Sequence, residues 1–137
     1  RPSGIDGFVF NTRKPIFADW RVRQALIEAF NFELVNQTLN AGAVPRIASY
    51  YSNSELGAPA GAAAEGRVLE LLAPFKDQLL PGAIDGYALP VSDGSEANRA
   101  NLRSATKLLE EAGWTVQDGV LKNAAGEPFA FEILLLP

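Results

Sequence analysis

The segment NTRKPIFADWRVRQALIEAFN, residues Asn11 to Asn31, specifies more local structure than any other part of the chain. Pro15 disfavours helical geometry at Lys14, so the segment begins as a bend. Asp19 then stands where a helix N-cap is expected. The apolar residues that follow recur at spacings of 3, 1, 3 and 1, as on one face of a helix: Val22, Ala25, Leu26, Ala29 and Phe30. The pattern predicts a capped amphipathic helix that ends near Asn31.

Strands are predicted on both sides of this helix. The run GFVF, Gly7 to Phe10, has large side chains on alternating faces, which favours a strand covered on both sides. Near the other end, Asp118-Gly119 predicts a hairpin, and the run FAFEILLL that begins at Phe129 predicts a buried strand. The fold class that follows is α/β, with a mixed β-sheet covered by helices.

Three further helices and two long loops complete the predicted order. The first of these helices runs from Phe32 to about Asn40, with Asn31 as its cap and Gly42 as its stop. The second covers Glu65 to about Phe75, and the third is capped by Asn98 or Ser95 and stops at Gly113. Irregular chain is predicted at about 43–64 and 76–97. We treat residues 1–137 as a single domain and, since the chain holds no Met, expect it to be an internal piece of a longer protein.

Composition excludes several classes of function. There are 16 acidic and 12 basic residues, and the net charge of −4 argues against nucleic-acid binding. No apolar run approaches the roughly 18 residues that span a bilayer, so we expect no membrane insertion. The chain has neither Cys nor His, and it lacks glycine-rich phosphate-binding motifs, so no metal and no cofactor are predicted. A carboxylate-based hydrolase would need two facing acids, and none can be nominated. The chain is therefore not expected to be an enzyme.

Aromatic and amide residues in irregular backbone are the remaining candidates for function. Tyr50, Tyr51 and Asn53 lie with two serines in the first long loop. Rings supply contact area and amides orient a polar organic ligand; the alternative is that one tyrosine packs under the loop and the other is exposed. Asn11, at the end of the predicted first strand, is placed either to meet a ligand or to form a turn.

The residues of this opening region resemble a known family. Its signature of strand, Asn, Pro-Pro-Phe-x-Asp and a helix opening with Val-Arg-x-Ala is matched at Phe10–Asn11, Pro15, Phe17, Asp19 and Arg21–Leu26. The chain thus resembles the dipeptide/oligopeptide-binding class of ABC-transporter periplasmic solute-binding proteins. NLRSATKLLEEAGW, which ends at Trp114, is similar to a later helix end of that family. Departures at Ile16, Ala18, Trp20 and Asn31-Phe32, with the SYYSNSEL loop, are typical of the subgroup for oligopeptides and microcin C-type antibiotics.

The resemblance implies part of the second lobe of a two-lobed periplasmic receptor. Such receptors bind an extended peptide between the lobes and deliver it to a membrane permease. It also implies that the strand carrying Phe8 and Phe10 lies near the cleft, and that Arg23 is a partly buried, paired charge. The candidate ligand-binding residues are Phe8, Phe10, Asn11, Tyr50, Tyr51 and Asn53. The alternative hypothesis is a stand-alone interaction or scaffold domain whose protein partner docks on the Ala43 to Ala64 loop.

Overall fold

The fold is seen in a computed structural model, which describes residues 7–52, 54–57 and 59–135. Its α-helices are α1 (Pro15–Ala18), α2 (Trp20–Ala29), α3 (Phe32–Asn40), α4 (Gly66–Leu72) and α5 (Arg99–Glu111). A 3-10 helix, Ala73–Gln78, continues α4, and two strands follow α5: β1 (Thr115–Gln117) and β2 (Val120–Lys122). The chain divides into two compact units, one of Arg1–Val9 with Asn31–Glu96 and a second of Phe10–Phe30 with Ala97–Pro137. We call them the loop unit and the helical unit.

The core of the helical unit lies where α2 packs on α5. Val22 and Ala25 of α2 and Ala105 of α5 are buried, and Phe17 of α1 is buried beside them. Alanine at two of these positions lets the helix backbones approach closely, which favours dense packing. The predicted α2 is confirmed, with Lys14 extended before Pro15 and Asp19 as the N-cap.

Asp19 and Arg21 join the start of α2 to the end of α5. One Asp19 oxygen accepts the Arg21 backbone amide at 2.9 Å, and the other pairs with the Arg21 guanidinium at 2.6 Å. Arg21 Nη1 also donates to the carbonyl oxygen of Glu111 at 2.6 Å, which places a cation at the negative end of α5. Arg23, the expected paired charge, is half-buried, but its guanidinium donates to the carbonyl oxygens of Phe17 and Ala18. The charge pair predicted for Arg23 belongs to Arg21.

The ends of α5 show one confirmed prediction and one error. Gly113 has φ +89°, and the amides of Gly113 and Trp114 donate to the carbonyls of Glu110 and Leu109, so the helix stops there as predicted. Asn98 precedes the first residue of α5 but makes no side-chain cap. Its buried amide instead donates to the Glu28 carbonyl at 3.4 Å, at the end of α2. The Asn98 side chain that makes this hydrogen bond is therefore not used to cap the start of α5.

The sheet is smaller than predicted. The hairpin is confirmed, since β1 and β2 pair antiparallel and both turn residues, Asp118 and Gly119, have positive φ. After it, a single bridge joins Lys122 to Pro128, and the Phe129 amide donates to the Leu121 carbonyl. Among the described residues the mixed sheet is therefore wrong: neither Gly7–Phe10 nor the chain after Phe129 forms a ladder. A strand needs a neighbour for its amides and carbonyls, and no described segment supplies one. Helices and strands are both present, so the α/β class stands.

The loop unit is held largely by hydrogen bonds, since none of its described residues is fully buried. Asn31 caps α3 as predicted, accepting the Leu34 amide at 3.2 Å, and the described residues of 43–64 are irregular. The two long loops meet through backbone bonds, from the Gly61 amide to the Tyr87 carbonyl at 2.8 Å and from the Ala64 amide to the Ile84 carbonyl at 2.7 Å.

A glycine is required where these loops meet. Gly86 has φ +100°, and a Cβ there would lie 2.3 Å from the Gly61 carbonyl oxygen. Only a residue without a side chain fits this approach. The contact makes the two predicted loops a single structural element.

Asp19 should make the stability of this protein depend on acid pH. The hydrogen bond from the Arg21 side chain lowers the pKa of Asp19 below its ordinary value. Because the folded-state pKa is depressed, the stabilisation is present above the unfolded value of about 3.9 and is lost as pH falls through the lower folded value. We expect Asp19→Ala to lower the free energy of unfolding at pH 7 by about 1 kcal/mol. Asp19→Asn should lower the free energy of unfolding by less, because the asparagine side chain can still cap α2.

Denaturant titrations of the wild type and Asp19→Asn across the acid range would measure this effect. The difference in the free energy of unfolding between the wild type and Asp19→Asn should be constant near neutral pH and shrink below about pH 4. A pH-independent difference would contradict the assignment of the charge pair.

Candidate functional site

Phe10 belongs to a row of aromatic rings in the helical unit. Its ring centre lies 5.4 Å from that of Phe17, which lies 5.4 Å from that of Phe131. The row continues to Phe129 at 5.8 Å and to Trp114 at a further 4.9 Å. Most of these pairs meet edge to face, an arrangement that is favourable beyond the apolar area it buries. Phe10 is half-buried, so one part of its ring packs in this row while the rest is accessible.

Sequence reasoning missed the partners of Phe10. The available signal was the repeated aromatic residue in FAF and the tryptophan directly after the helix stop at Gly113. Rings at such distant positions can be paired only once the helices are packed. The row gives the end of the predicted first strand a fixed position in the helical unit.

Asn11 is exposed and forms a turn. Its Oδ1 accepts the Arg13 amide at 3.2 Å, and its carbonyl oxygen accepts the Lys14 amide at 3.0 Å. This is the local pattern by which asparagine stabilises a turn. Asn11 Nδ2 donates no hydrogen bond among the described residues, so it is available as a donor.

Phe8 and the tyrosines belong to the loop unit and are exposed. Phe8 is 63% exposed, where the sequence predicted burial on both faces, and Tyr50 and Tyr51 are 84% and 58% exposed. The alternative in which a tyrosine packs beneath the loop does not occur among the described residues. Asn53 lies outside the described residues. The structure thus divides the candidates between its two units, with Phe10 and Asn11 in the helical unit.

Serine hydroxyls fix the backbone that carries the two tyrosines. Ser52 Oγ donates to the Ser49 carbonyl at 2.8 Å, and Ser54 Oγ donates to the Tyr51 carbonyl at 2.8 Å. Gly57 lies so close that a Cβ there would be 2.9 Å from the same Tyr51 oxygen. A hydrogen-bonded turn therefore holds the backbone that carries both rings. Because this backbone is already ordered, contact with a ligand costs less conformational entropy.

A second polar cluster, around Ser92, ties the other long loop to α3. Ser92 Oγ donates to Asn31 Oδ1 at 2.6 Å, and the Ser92 amide donates to Glu33 Oε2 at 2.9 Å. Partial burial raises the pKa of Glu33, but the Ser92 hydrogen bonds outweigh it and bring the pKa below its ordinary value. Arg46 donates to the Pro90 carbonyl and lies over the Phe32 ring, 5.3 Å from its centre. These contacts hold the two long loops and α3 together.

The described residues hold no group of three or more His, Cys, Asp or Glu side chains that could bind a metal ion. None of the helices in the part of the chain that the structure describes has the length and apolar character needed to cross a membrane. What the geometry offers is a set of exposed rings and amides on hydrogen-bonded turns. Aromatic rings and a few well-placed polar groups are the kinds of side chain that line ligand-binding sites.

Comparison with known proteins identifies the class. Residues 1–135 match the family described as bacterial extracellular solute-binding proteins, family 5, middle region, and the chain belongs to this family. It is 45% identical to the Brucella melitensis protein BMEII0691 over 134 residues, which are 97% of this chain and 22% of that protein.

Two relatives from Agrobacterium fabrum have names that state a ligand. The chain is 41% identical to "Peptidoglycan-binding protein YepA", across 97% of the chain and 22% of the relative. It is 38% identical to "Probable peptide-binding protein YejA", across 96% of the chain and 21% of the relative. The chain thus spans about a fifth of the length of these curated relatives.

Proposed function

We propose that this chain is part of the substrate-binding component of an ABC importer, which binds oligopeptides or peptide-like ligands in a cleft between two lobes. The observation that carries the proposal is the family match across residues 1–135, together with the two relatives named for binding peptide and peptidoglycan. Peptidoglycan contains short peptides, so the two names agree on a peptide-bearing ligand. The protein acts in the periplasm, binds without catalysis and delivers its ligand to a membrane permease.

The chain, residues 1–137, forms a single domain within the second lobe. Phe8, Phe10, Asn11, Tyr50, Tyr51 and Asn53 contribute to the ligand-binding wall. Phe10, anchored in the aromatic row, and the tyrosines on their serine-held turn supply preformed contact area, which favours binding. The Asn11 amide and the tyrosine hydroxyls supply donors for peptide carbonyls.

Mass spectrometry of molecules that co-purify with the intact protein tests the ligand class. We expect short peptides or peptide-bearing cell-wall fragments, released on denaturation and absent from a mock purification. Recovery of a bound protein and no small molecule would contradict the proposal. That result would favour the stand-alone interaction domain.

Replacing the two tyrosines separates ligand contact from packing. Tyr50→Ala with Tyr51→Ala, made together in the intact protein, should raise the Kd for a co-purifying peptide by at least about tenfold, because truncated aromatic contacts commonly cost more than 1 kcal/mol each. The melting temperature of the ligand-free protein should hardly change, since both rings are exposed. Calorimetric titration and thermal denaturation measure the two quantities.

A matched control comes from the same loop. Leu56 is also exposed, and Leu56→Ala should change neither quantity. Tyr50→Phe with Tyr51→Phe retains both rings, so its Kd measures what the two hydroxyls contribute to peptide binding. A lower melting temperature with unchanged affinity would show that the tyrosines pack against the protein and do not contact ligand.

A further inference from the structure

Aspartate is followed directly by glycine in three pairs, Asp85-Gly86, Asp93-Gly94 and Asp118-Gly119. Such a pair can react within itself, because the glycine amide nitrogen can reach Cγ of the aspartate and glycine has no Cβ to obstruct the approach. The reaction is slowed when hydrogen bonds hold the amide or the carboxyl group elsewhere. The three pairs look alike in the sequence, but they differ in these hydrogen bonds.

The glycine amide is held in two of the pairs. The Gly86 amide donates to the Gly82 carbonyl oxygen at 3.0 Å, and Gly86 also lies against the Gly61 carbonyl, which restricts movement of its backbone. The Gly94 amide donates to Ser92 Oγ at 3.1 Å. Each of these two nitrogens must lose a hydrogen bond before it can attack its aspartate.

The carboxyl group of Asp93 is held as well. Its Oδ1 accepts the Ser95 hydroxyl at 2.7 Å and the Ser95 amide at 2.9 Å. The hydrogen bond from the Ser95 hydroxyl, with that from the amide, lowers the pKa of Asp93. The charged form is thereby favoured, and a carboxylate loses an oxygen less readily than a neutral carboxyl group does. Both reacting groups of this pair are therefore restrained.

Asp118-Gly119, the turn between β1 and β2, lacks these restraints. The hairpin ladder pairs the flanking residues, Gln117 and Val120, and leaves the Gly119 amide outside it. Within the part of the chain that the structure describes, this amide donates no hydrogen bond, and a Cβ on Gly119 would meet no atom within 4 Å. Asp118 Oδ2 lies 3.8 Å from Lys122 Nζ, which is beyond hydrogen-bond distance.

We propose that Asp118 is a site of spontaneous conversion to isoaspartate, and that it reacts faster than Asp85 and Asp93 in the folded protein. The Gly119 nitrogen gives up its proton and bonds to Asp118 Cγ while the Cγ–OH bond breaks, so a water molecule leaves and a succinimide ring closes. Water then adds to either ring carbonyl. Addition at the Asp118 backbone carbonyl breaks its bond to the Gly119 nitrogen and gives isoaspartate, whereas addition at Cγ restores aspartate.

Conversion changes the hairpin. The main chain of isoaspartate passes through Cβ and Cγ, which adds a carbon atom to a two-residue turn whose geometry matches the twist of its strands. The pairing of Gln117 with Val120 beside the turn is then strained. We therefore expect the amides of β1 and β2 to exchange faster with deuterium in the converted protein than in the unconverted protein.

Isotope labelling of the intact protein tests the site. The protein is incubated near neutral pH in heavy-oxygen water and digested, and peptides that cover the three pairs are compared by mass spectrometry, with fragmentation that separates isoaspartate from aspartate. Each ring hydrolysis leaves a heavy oxygen atom in either product, so the label measures ring formation. Label and isoaspartate should accumulate at Asp118 at least about fivefold faster than at Asp85 or Asp93, since a net hydrogen bond is worth about this factor.

Three controls separate the effect of structure from that of sequence. In protein unfolded with urea the hydrogen bonds are absent, so the three pairs should react at similar rates. Ser92→Ala with Ser95→Ala removes the hydroxyls that hold Gly94 and Asp93, and should raise the rate at Asp93 towards that at Asp118. Gly119→Asn tolerates positive φ and adds a side chain that obstructs the attack, so labelling of Asp118 should fall.

Several results would overturn the proposal. Equal rates at the three pairs in the folded protein, or faster labelling at Asp85 or Asp93, would show that these hydrogen bonds do not select the site. Labelling of Asp118 in urea but not in the folded protein would show that the intact molecule protects the turn. Unchanged deuterium exchange in β1 and β2 after conversion would show that isoaspartate does not loosen the hairpin.

Discussion

Phe17→Ala should lower the free energy of unfolding of the helical unit by about 3 kcal/mol or more, the usual cost of truncating a buried phenylalanine. Phe17 is 8% exposed and contacts the rings of both Phe10 and Phe131. Its removal leaves a cavity beside the α2 and α5 packing and interrupts the aromatic row. Because Phe10 is held by that row, the same variant should also weaken peptide binding.

Hydrogen exchange of the intact protein locates this effect. Peptides that cover α2 and α5 should exchange faster in Phe17→Ala, in proportion to the lost stability. Phe75 is the matched control, because it is the same residue type at 54% exposure and lies in the 3-10 helix of the loop unit. Phe75→Ala should leave exchange in α2 and α5 unchanged. Equal effects of the two substitutions would show that Phe17 is not a core residue.

Gly86→Ala should disrupt the junction of the two long loops and cost about 3 kcal/mol locally, through steric overlap and an unfavourable backbone conformation. The added Cβ would lie 2.3 Å from the Gly61 carbonyl oxygen, at a residue whose φ is already +100°. The loops must separate to relieve the overlap, which breaks the bonds from Gly61 to Tyr87 and from Ala64 to Ile84. Faster exchange of the Gly61 and Ala64 amides measures the loss.

Gly94 isolates the steric part of this effect. It also has positive φ, +73°, but a Cβ there would meet no atom within 4 Å. Gly94→Ala should therefore cost only the backbone strain, about 1 kcal/mol. If Gly86→Ala cost no more than Gly94→Ala, the close approach of the loops would not exist. Because the loop unit also carries Tyr50 and Tyr51, Gly86→Ala should weaken peptide binding as well.

The sequence by itself determined the local structure of this protein. Asp19 caps α2, Asn31 caps α3, Gly113 stops α5, and Asp118-Gly119 turns the hairpin, each as predicted. These features depend on hydrogen bonds and dihedral preferences that span no more than about five residues, so the residue types are sufficient to predict them. The family signature could be read for the same reason, because most of it lies in the bend and capped helix of Asn11 to Asn31.

Only the tertiary structure decided the features that join distant parts of the chain. It assigned the Asn98 amide to the Glu28 carbonyl in place of a cap, and it placed Phe17 against Phe131 within one aromatic row. It also brought Gly61 against Gly86 and left Gly7 to Phe10 without a strand partner among the described residues. An apolar run such as GFVF has the composition of a buried strand, but a strand forms only beside a neighbour that can accept and donate its hydrogen bonds. The partner of each of these groups is set by packing over tens of residues, and no local pattern encodes that choice.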